Sequence, residues 1–247
     1  MATVKDIYNY IDSIAPFSTQ EEWDNSGLLV GDEKAEVTKI LFALDVTTDV
    51  IEQAVTCGAD LIITHHPVVF KPVSNVLSDS LVYKLINNNI SIICAHTNYD
   101  KAVNGVNDML CQTAGFNSFV KVEGTCLNVG SFERDISTEN FVNHIKNVLG
   151  CVVRYNSLKK DVKKVAVCSG SGSDYLILAK ELGCDALLTG DASHHAFLDA
   201  NEMNILLVAA GHFETENIAI EPLVNKIKEE FNVSCELALQ ESPIITI

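Results

Sequence analysis

The sequence predicts an α/β fold made of two related, interlocked α/β domains with mixed sheets, and three observations carry that prediction. Short apolar runs alternate with longer amphipathic ones, the pattern of parallel strands joined by helices. A segment of the first half is echoed in the second. Hydrophobic residues fill 47% of the 247 positions, enough for a sizeable buried core.

The elements follow in chain order. MATVKDIYNYIDSI sets Val4, Ile7, Tyr8, Ile11 and Ile14 on one face with polar and acidic residues between them, which predicts an amphipathic helix ended by Pro16 rather than a signal peptide. Residues 40–45, 61–64 and 91–95 read as strands with helices between them. Residues 119–123, 127–132 and 151–155 read as further strands around a helix over 138–149, whose Phe141, Ile145, Val148 and Leu149 share a face. Strands are predicted again at 164–168, 186–189 and 205–210. Shifting the chain by 125 residues lays 39–64 over 164–189, so that Lys39, Asp49, Ala54, Gly58, Asp60 and Thr64 meet Lys164, Asp174, Ala179, Gly183, Asp185 and Thr189. A shift of 116 sets His96 and Asp100 over His212 and Glu216. The expected division is a first domain over 1–122, completed by 213–247, and a second over 123–212.

Composition narrows the partners. With 33 Asp and Glu against 17 Lys and Arg, the formal charge is −16, the wrong sign for neutralising phosphates along DNA or RNA. No apolar run approaches the roughly 20 residues that cross a bilayer, so no membrane span is expected. Eight cysteines without a C-x-x-C pair read as reduced thiols of a cytoplasmic protein.

The chemistry gathers at strand ends. His65 and His66 follow the run 61–64 directly, at the carboxyl edge where open α/β sheets bind ligands. Asp100 follows the run 91–95, with His96 one helical turn earlier. His212 and Glu216 begin an expected helix whose stripe continues as Ile220, Leu223, Val224, Ile227 and Phe231, so both lie on or near its apolar face. A buried carboxylate there needs a positive partner, which is either a lysine or arginine or a metal ion. Three imidazoles and two carboxylates suit a divalent ion of the nitrogen/oxygen class. His96 reads as a ligand, as a group orienting Asp100 or a water, or as an ordinary strand-end histidine. His194 and His195, after Thr189-Gly190-Asp191, read either as pocket-lining proton donors or as exposed helix-start residues. The loop from Ser169 to Asp174 is either a phosphate cradle or a capped turn, and Trp23, Asp24 and Asn25 form either a cavity wall or a polar turn.

Five strings carry a resemblance: EEWDNSGLLVGD (21–32), DLIITHHPVVFKP (60–72), AHTNYDKAVNGVND (95–108), GDASHHAFLDA (190–200) and GHFETEN (211–217). In this order they resemble the GTP cyclohydrolase 1 type 2 homologue family, also called the NIF-three-like family, over essentially the whole chain. The resemblance implies a dinuclear centre held by His65, His66, Asp100, His212 and Glu216, with Glu216 as the bridge, at the strand ends between two α/β domains. It also implies a ring-shaped homohexamer. The function expected is therefore a dinuclear divalent-metal-dependent hydrolase of a small molecule, such as a nucleotide or pterin-like ring, with His96 and His195 as proton shuttles or supporting groups. Each chain would hold two divalent ions, and zinc, iron, manganese, nickel and cobalt all fit the donor types. A non-catalytic metal-binding scaffold, storage or regulatory ring and a phosphoesterase are the alternative readings.

Overall fold

The two larger sheets each contain three consecutive parallel strands whose pairings correspond. The computed structural model describes residues 1–245. In chain order the first elements are β1 (Ala2–Thr3), α1 (Val4–Ile14), β2 (Gly27–Val30), β3 (Glu36–Val37), β4 (Lys39–Ala43), α2 (Thr48–Cys57), β5 (Leu61–Thr64), α3 (Leu81–Asn87), β6 (Ser91–Cys94) and α4 (Thr97–Lys101). Then come α5 (Val106–Thr113), β7 (Ser118–Lys121), β8 (Asn128–Ser137), α6 (Thr138–Leu149), β9 (Arg154–Tyr155), β10 (Asp161–Cys168), α7 (Leu176–Glu181) and β11 (Ala186–Thr189). The last are α8 (His194–Glu202), β12 (Leu206–Ala209), α9 (His212–Glu216), α10 (Ile220–Glu230) and β13 (Ser234–Leu237).

The chain divides into two compact units. One comprises Met1–Val103 with Ala219–Glu241, and the other is built on Asn104–Ile218. The first holds a five-stranded sheet, β13-β4-β5-β6-β2, parallel except for β2. Its core includes Leu41, Val50, Ala54, Ile62, Leu85 and Ile92. The second holds a six-stranded sheet, β7-β8-β10-β11-β12-β9, in which only β10, β11 and β12 run parallel. Alternation along β10 sends Val165 and Val167 into one core, with Phe141 and Ile145 of α6, and Ala166 and Cys168 into another, with Leu176 and Ala179 of α7. Both faces are thus covered by helices, as a parallel core requires.

The echo between the units survives in atomic detail. Ile40 pairs with Leu61 and Val165 with Ala186, which is the 125-residue shift exactly as the strands register it. Gly58 and Gly183 both end their helices in the left-handed region, at φ +73° and +72°. Asp60 accepts from the N–H groups of Thr38 and Lys39, and Asp185 accepts from those of Lys163 and Lys164. The third strand differs. Thr64 pairs with Cys94 and Thr189 with Ala209, a shift of 115, so His96 and His212 are displaced by one residue relative to their strands. His96 is the residue before α4, whereas His212 is the first residue of α9.

The single helix expected from His212 onward is interrupted. A 3-10 turn at Asn217–Ala219 separates α9 from α10. Pro222 gives the reason: it has no N–H to donate to residue 218, and it is tolerated in the first turn of α10 but not inside a longer helix. The eight cysteines are free thiols. Among the described residues, no helix is long and apolar enough to cross a membrane.

Candidate functional site

In the first unit, the histidines emerge where β5 and β6 end. The His66 N–H donates to Leu44 O at 2.9 Å, holding the chain against the end of β4 as it leaves the sheet. His65 is 1% exposed, and its Nδ1 lies 2.9 Å from Ala95 O. A carbonyl only accepts, so Nδ1 carries the proton and the lone pair is on Nε2. His66 Nδ1 lies 2.7 Å from Asp45 Oδ1, and His96 Nδ1 lies 2.7 Å from Asp24 Oδ1. These carboxylates direct each ring the same way. The three imidazoles each offer a nitrogen within 4.8 Å of the others, a group able to hold a metal ion. Asp100 is buried in α4, with Oδ1 3.6 Å from His65 Nε2.

Asp24 is the anchor behind His96. It also accepts from the Thr97 N–H at 3.1 Å and from the Ser26 hydroxyl at 3.0 Å. Burial pushes its pKa up, but the hydrogen bonds from His96 and Thr97 outweigh that and hold the carboxyl well below the usual carboxylate range. A permanently ionised acid behind the ring favours the Nδ1–H form.

The second unit repeats the arrangement. His212 Nδ1 lies 2.8 Å from Asp191 Oδ2, beyond the end of β11, and His212 Nε2 lies 3.2 Å from Glu216 Oε2, one turn along α9. Glu216 is buried. Gly170 packs against both side chains: at φ +55°, a Cβ there would stand 2.1 Å from Glu216 Oε1 and 3.2 Å from His212 Nε2. The N–H groups of Ser169, Gly170 and Gly172 donate to Asn107 Oδ1, Thr215 Oγ1 and Thr189 Oγ1, and Gly170 O accepts from the N–H groups of Gly190 and Asp191. This loop therefore spends those donors on clamping α5, α9 and the β11 end, which leaves them unable to cradle a phosphate.

The donor set fits a divalent cation. Two ligands each about 2.1 Å from one ion at a near-tetrahedral angle stand about 3.4 Å apart. The His65–Asp100 and His212–Glu216 separations of 3.6 and 3.2 Å bracket that span. An imidazole lone pair facing a carboxylate at this distance is repulsive unless a cation or proton lies between them.

His195 stands differently. It is exposed in the first turn of α8, its ring 5.9 Å from that of His194, beside a recess of about 450 Å³ lined by Ser173, Asp174 and Asp199. Sequence reasoning offered Asp24 only as part of a cavity wall or a polar turn and passed over Asp45 and Asp191 as site residues. Asp45 and Asp191 carry a signal in retrospect, since each stands two residues beyond its strand.

The Duf34/NIF3 (NGG1p interacting factor 3) family model matches residues 2–246. A Clostridium perfringens protein named GTP cyclohydrolase 1 type 2 homolog is 37% identical over 96% of this chain and 96% of its own length. A Clostridium acetobutylicum protein of the same name is 38% identical over 91% of this chain and 89% of its own. The crystal structure of Staphylococcus aureus protein SA1388 superimposes with a TM-score of 0.89 at 28% identity, covering 100% of this chain and 99% of that one.

Proposed function

Because this chain belongs to the Duf34/NIF3 family, and because each of its units aims an imidazole Nε2 at a buried carboxylate, we propose that it is a dinuclear divalent-metal-dependent hydrolase of a small molecule. His65, His66 and Asp100 from the first unit and His212 and Glu216 from the second are the proposed ligands, with Glu216 as the bridge. The observation that carries the proposal is the common posture of the rings: Nδ1 of His65, His66 and His212 is bound to a carbonyl or carboxylate, which turns Nε2 of each into the donor. When bound, two divalent ions lower the pKa of a coordinated water and supply hydroxide near neutral pH. Asp45 and Asp191 orient their rings. His96, held by Asp24, and the exposed His195 are the proposed proton carriers. The relatives' name, GTP cyclohydrolase 1 type 2 homolog, points to a nucleotide as the substrate, and we extend the proposed class to a pterin-like ring. The resemblance extends the proposal to a cytoplasmic homohexamer, and eight free thiols suit a reducing compartment.

Metal content per chain, measured by plasma mass spectrometry on untagged protein purified without chelator or added metal, tests this reading beside the Glu216→Ala variant. About two divalent ions per chain, falling sharply in the variant, is the expected result. No bound metal in the wild type, even after reconstitution, overturns it. Bound metal with no coordinated water exchangeable with solvent would replace the hydrolase with a closed structural centre.

A further inference from the structure

Trp23 is the only tryptophan of the chain, and it is 57% exposed, an uncommon position for the largest apolar side chain. Phe70, 45% exposed, lies beside it, with ring centroids 5.7 Å apart and planes tilted by 35°. Both rings border His96, at 6.0 and 6.3 Å, each with an edge-on geometry. They come from two separate loops, one before β2 and one after the His65-His66 pair. These loops are tied together, since Asn25 Nδ2 donates to Val69 O at 2.5 Å. The Trp23 loop is fixed further by Asp24, whose carboxylate is bound to His96 and Thr97, and by the Ser26 N–H, which donates to Gln20 Oε1 at 2.8 Å. The Trp23 loop is thus the one that positions His96, through Asp24 and Ser26, and Asn25 ties the Phe70 loop to it.

The spacing decides how a ligand could use them. A ring stacked between two others needs roughly 7 Å between the outer planes, twice ordinary contact distance, so these rings are too close to sandwich one. They form instead an adjoining, tilted pair of half-exposed rings, a surface on which one ring can stack at a time. Every heteroaromatic base presents a π-face to such a surface and polar edges to its side. An aliphatic or sugar phosphate has no matching face. Packing alone does not account for the arrangement, because both side chains keep about half their surface in contact with solvent.

We propose that Trp23 and Phe70 form a stacking platform for a planar heteroaromatic substrate, which stacks on one ring with the other against its side and turns its reactive edge toward His65, His66 and His96. This assignment rests on the hydrolase reading for its direction, since it names the substrate class of that same centre. It makes Trp23 and Phe70 specificity-determining residues and Asn25 the residue that holds their two loops in register.

The single tryptophan makes the test direct, because all indole fluorescence of the protein comes from the platform. Zinc-loaded and metal-stripped protein are each titrated with guanosine 5′-monophosphate, cytidine 5′-monophosphate and pterin, and with ribose 5-phosphate as the ring-free control. Zinc is chosen because it has no redox chemistry of its own. The expected result is saturable quenching by at least one ring probe and none by ribose 5-phosphate. Phe70→Ala should weaken that binding about tenfold or more, and Phe70→Tyr should restore it, with thermal unfolding unchanged in both. Three results would each overturn the proposal: no quenching by any ring probe up to about 5 mM, equal quenching by ribose 5-phosphate, or an unaltered dissociation constant in a folded Phe70→Ala protein. An indole shielded from acrylamide in the native assembly, and insensitive to every probe, would assign the platform to a second copy of the chain instead. Metal content measured on the same samples separates the two readings: ring binding without metal retention removes the metal centre alone, and metal retention without ring binding removes the platform alone.

Discussion

Replacing Gly170 by alanine would place a methyl group 2.1 Å from Glu216 Oε1 in a left-handed backbone conformation. The conformational cost alone is about 1–2 kcal/mol, and relieving the contact requires the carboxylate to move. The Gly170→Ala protein should therefore lose about that much stability and bind zinc at least about tenfold more weakly, the size of effect seen when groups behind a metal ligand are disturbed. Competition with a fluorescent zinc chelator would measure it, and undiminished zinc affinity would show that Glu216 tolerates displacement. This contact illustrates the limit of what a sequence reveals about a site. His65, His66, Asp100, His212 and Glu216 stand out because each follows a strand closely enough for its position to be read from local pattern. Gly170 meets Glu216, and Asp24 meets His96, across 46 and 72 residues of chain, and no periodicity connects such pairs. Asp24 looks like a turn residue because it is one; its second role exists only in three dimensions.

At the scale of the element, α6 was the most legible part of the chain. Its apolar stripe is bracketed by Ser137, whose side chain accepts from the Asn140 N–H, and by Gly150 in the left-handed region at φ +65°. Stripe, cap and stop agree, so the predicted bounds and the observed Thr138–Leu149 coincide. Ser137→Ala should cost about 1 kcal/mol, read as a lower midpoint in urea with an unchanged slope. No change in midpoint would mean that packing of Phe141 and Ile145 fixes the helix start without the cap. The central parallel strands β5, β6, β11 and β12 were equally plain, since each is a short, fully buried apolar run. Harder elements were those whose residues answer to two demands. β13 is an edge strand with three of its four residues exposed, so it shows no alternation to read. The segment after His212 keeps an apolar stripe through α10, yet Pro222 divides it, and the proline outweighs the stripe because a missing N–H cannot be supplied by packing.

For the molecule as a whole, Asp60 and Asp185 contribute to the response to acid. Burial raises the pKa of each, but for Asp60 the Thr38 hydroxyl and the N–H groups of Thr38 and Lys39 outweigh it. For Asp185, the N–H groups of Lys164 and Lys163 and the Lys160 ammonium do the same. Both carboxyls are thus lowered in the folded state below the roughly 3.9 of an unfolded aspartate. A lowered pKa contributes stability that is complete above the unfolded value and is lost as pH falls through the folded one. Metal-free protein should hold its melting temperature between pH 7 and about 5, where a chain of formal charge −16 also sheds self-repulsion, and lose it below about 4. The Asp60→Asn, Asp185→Asn double variant should melt lower at pH 7 and show a flatter acid limb by scanning calorimetry; an acid limb as steep as the wild type's would assign the transition to other carboxylates. The connectivity of the two units bears on how the protein is made. The first unit's sheet lacks β13 until residues 234–237 are available, whereas all six strands of the second unit's sheet lie within Asn104–Ile218. A ribosome releases the chain in sequence order, so β4 must wait, with one edge open, until residues 234–237 arrive. During synthesis the second unit's sheet is complete before the first's, and an exposed strand edge in the nascent chain is the point at which a chaperone would have most to protect.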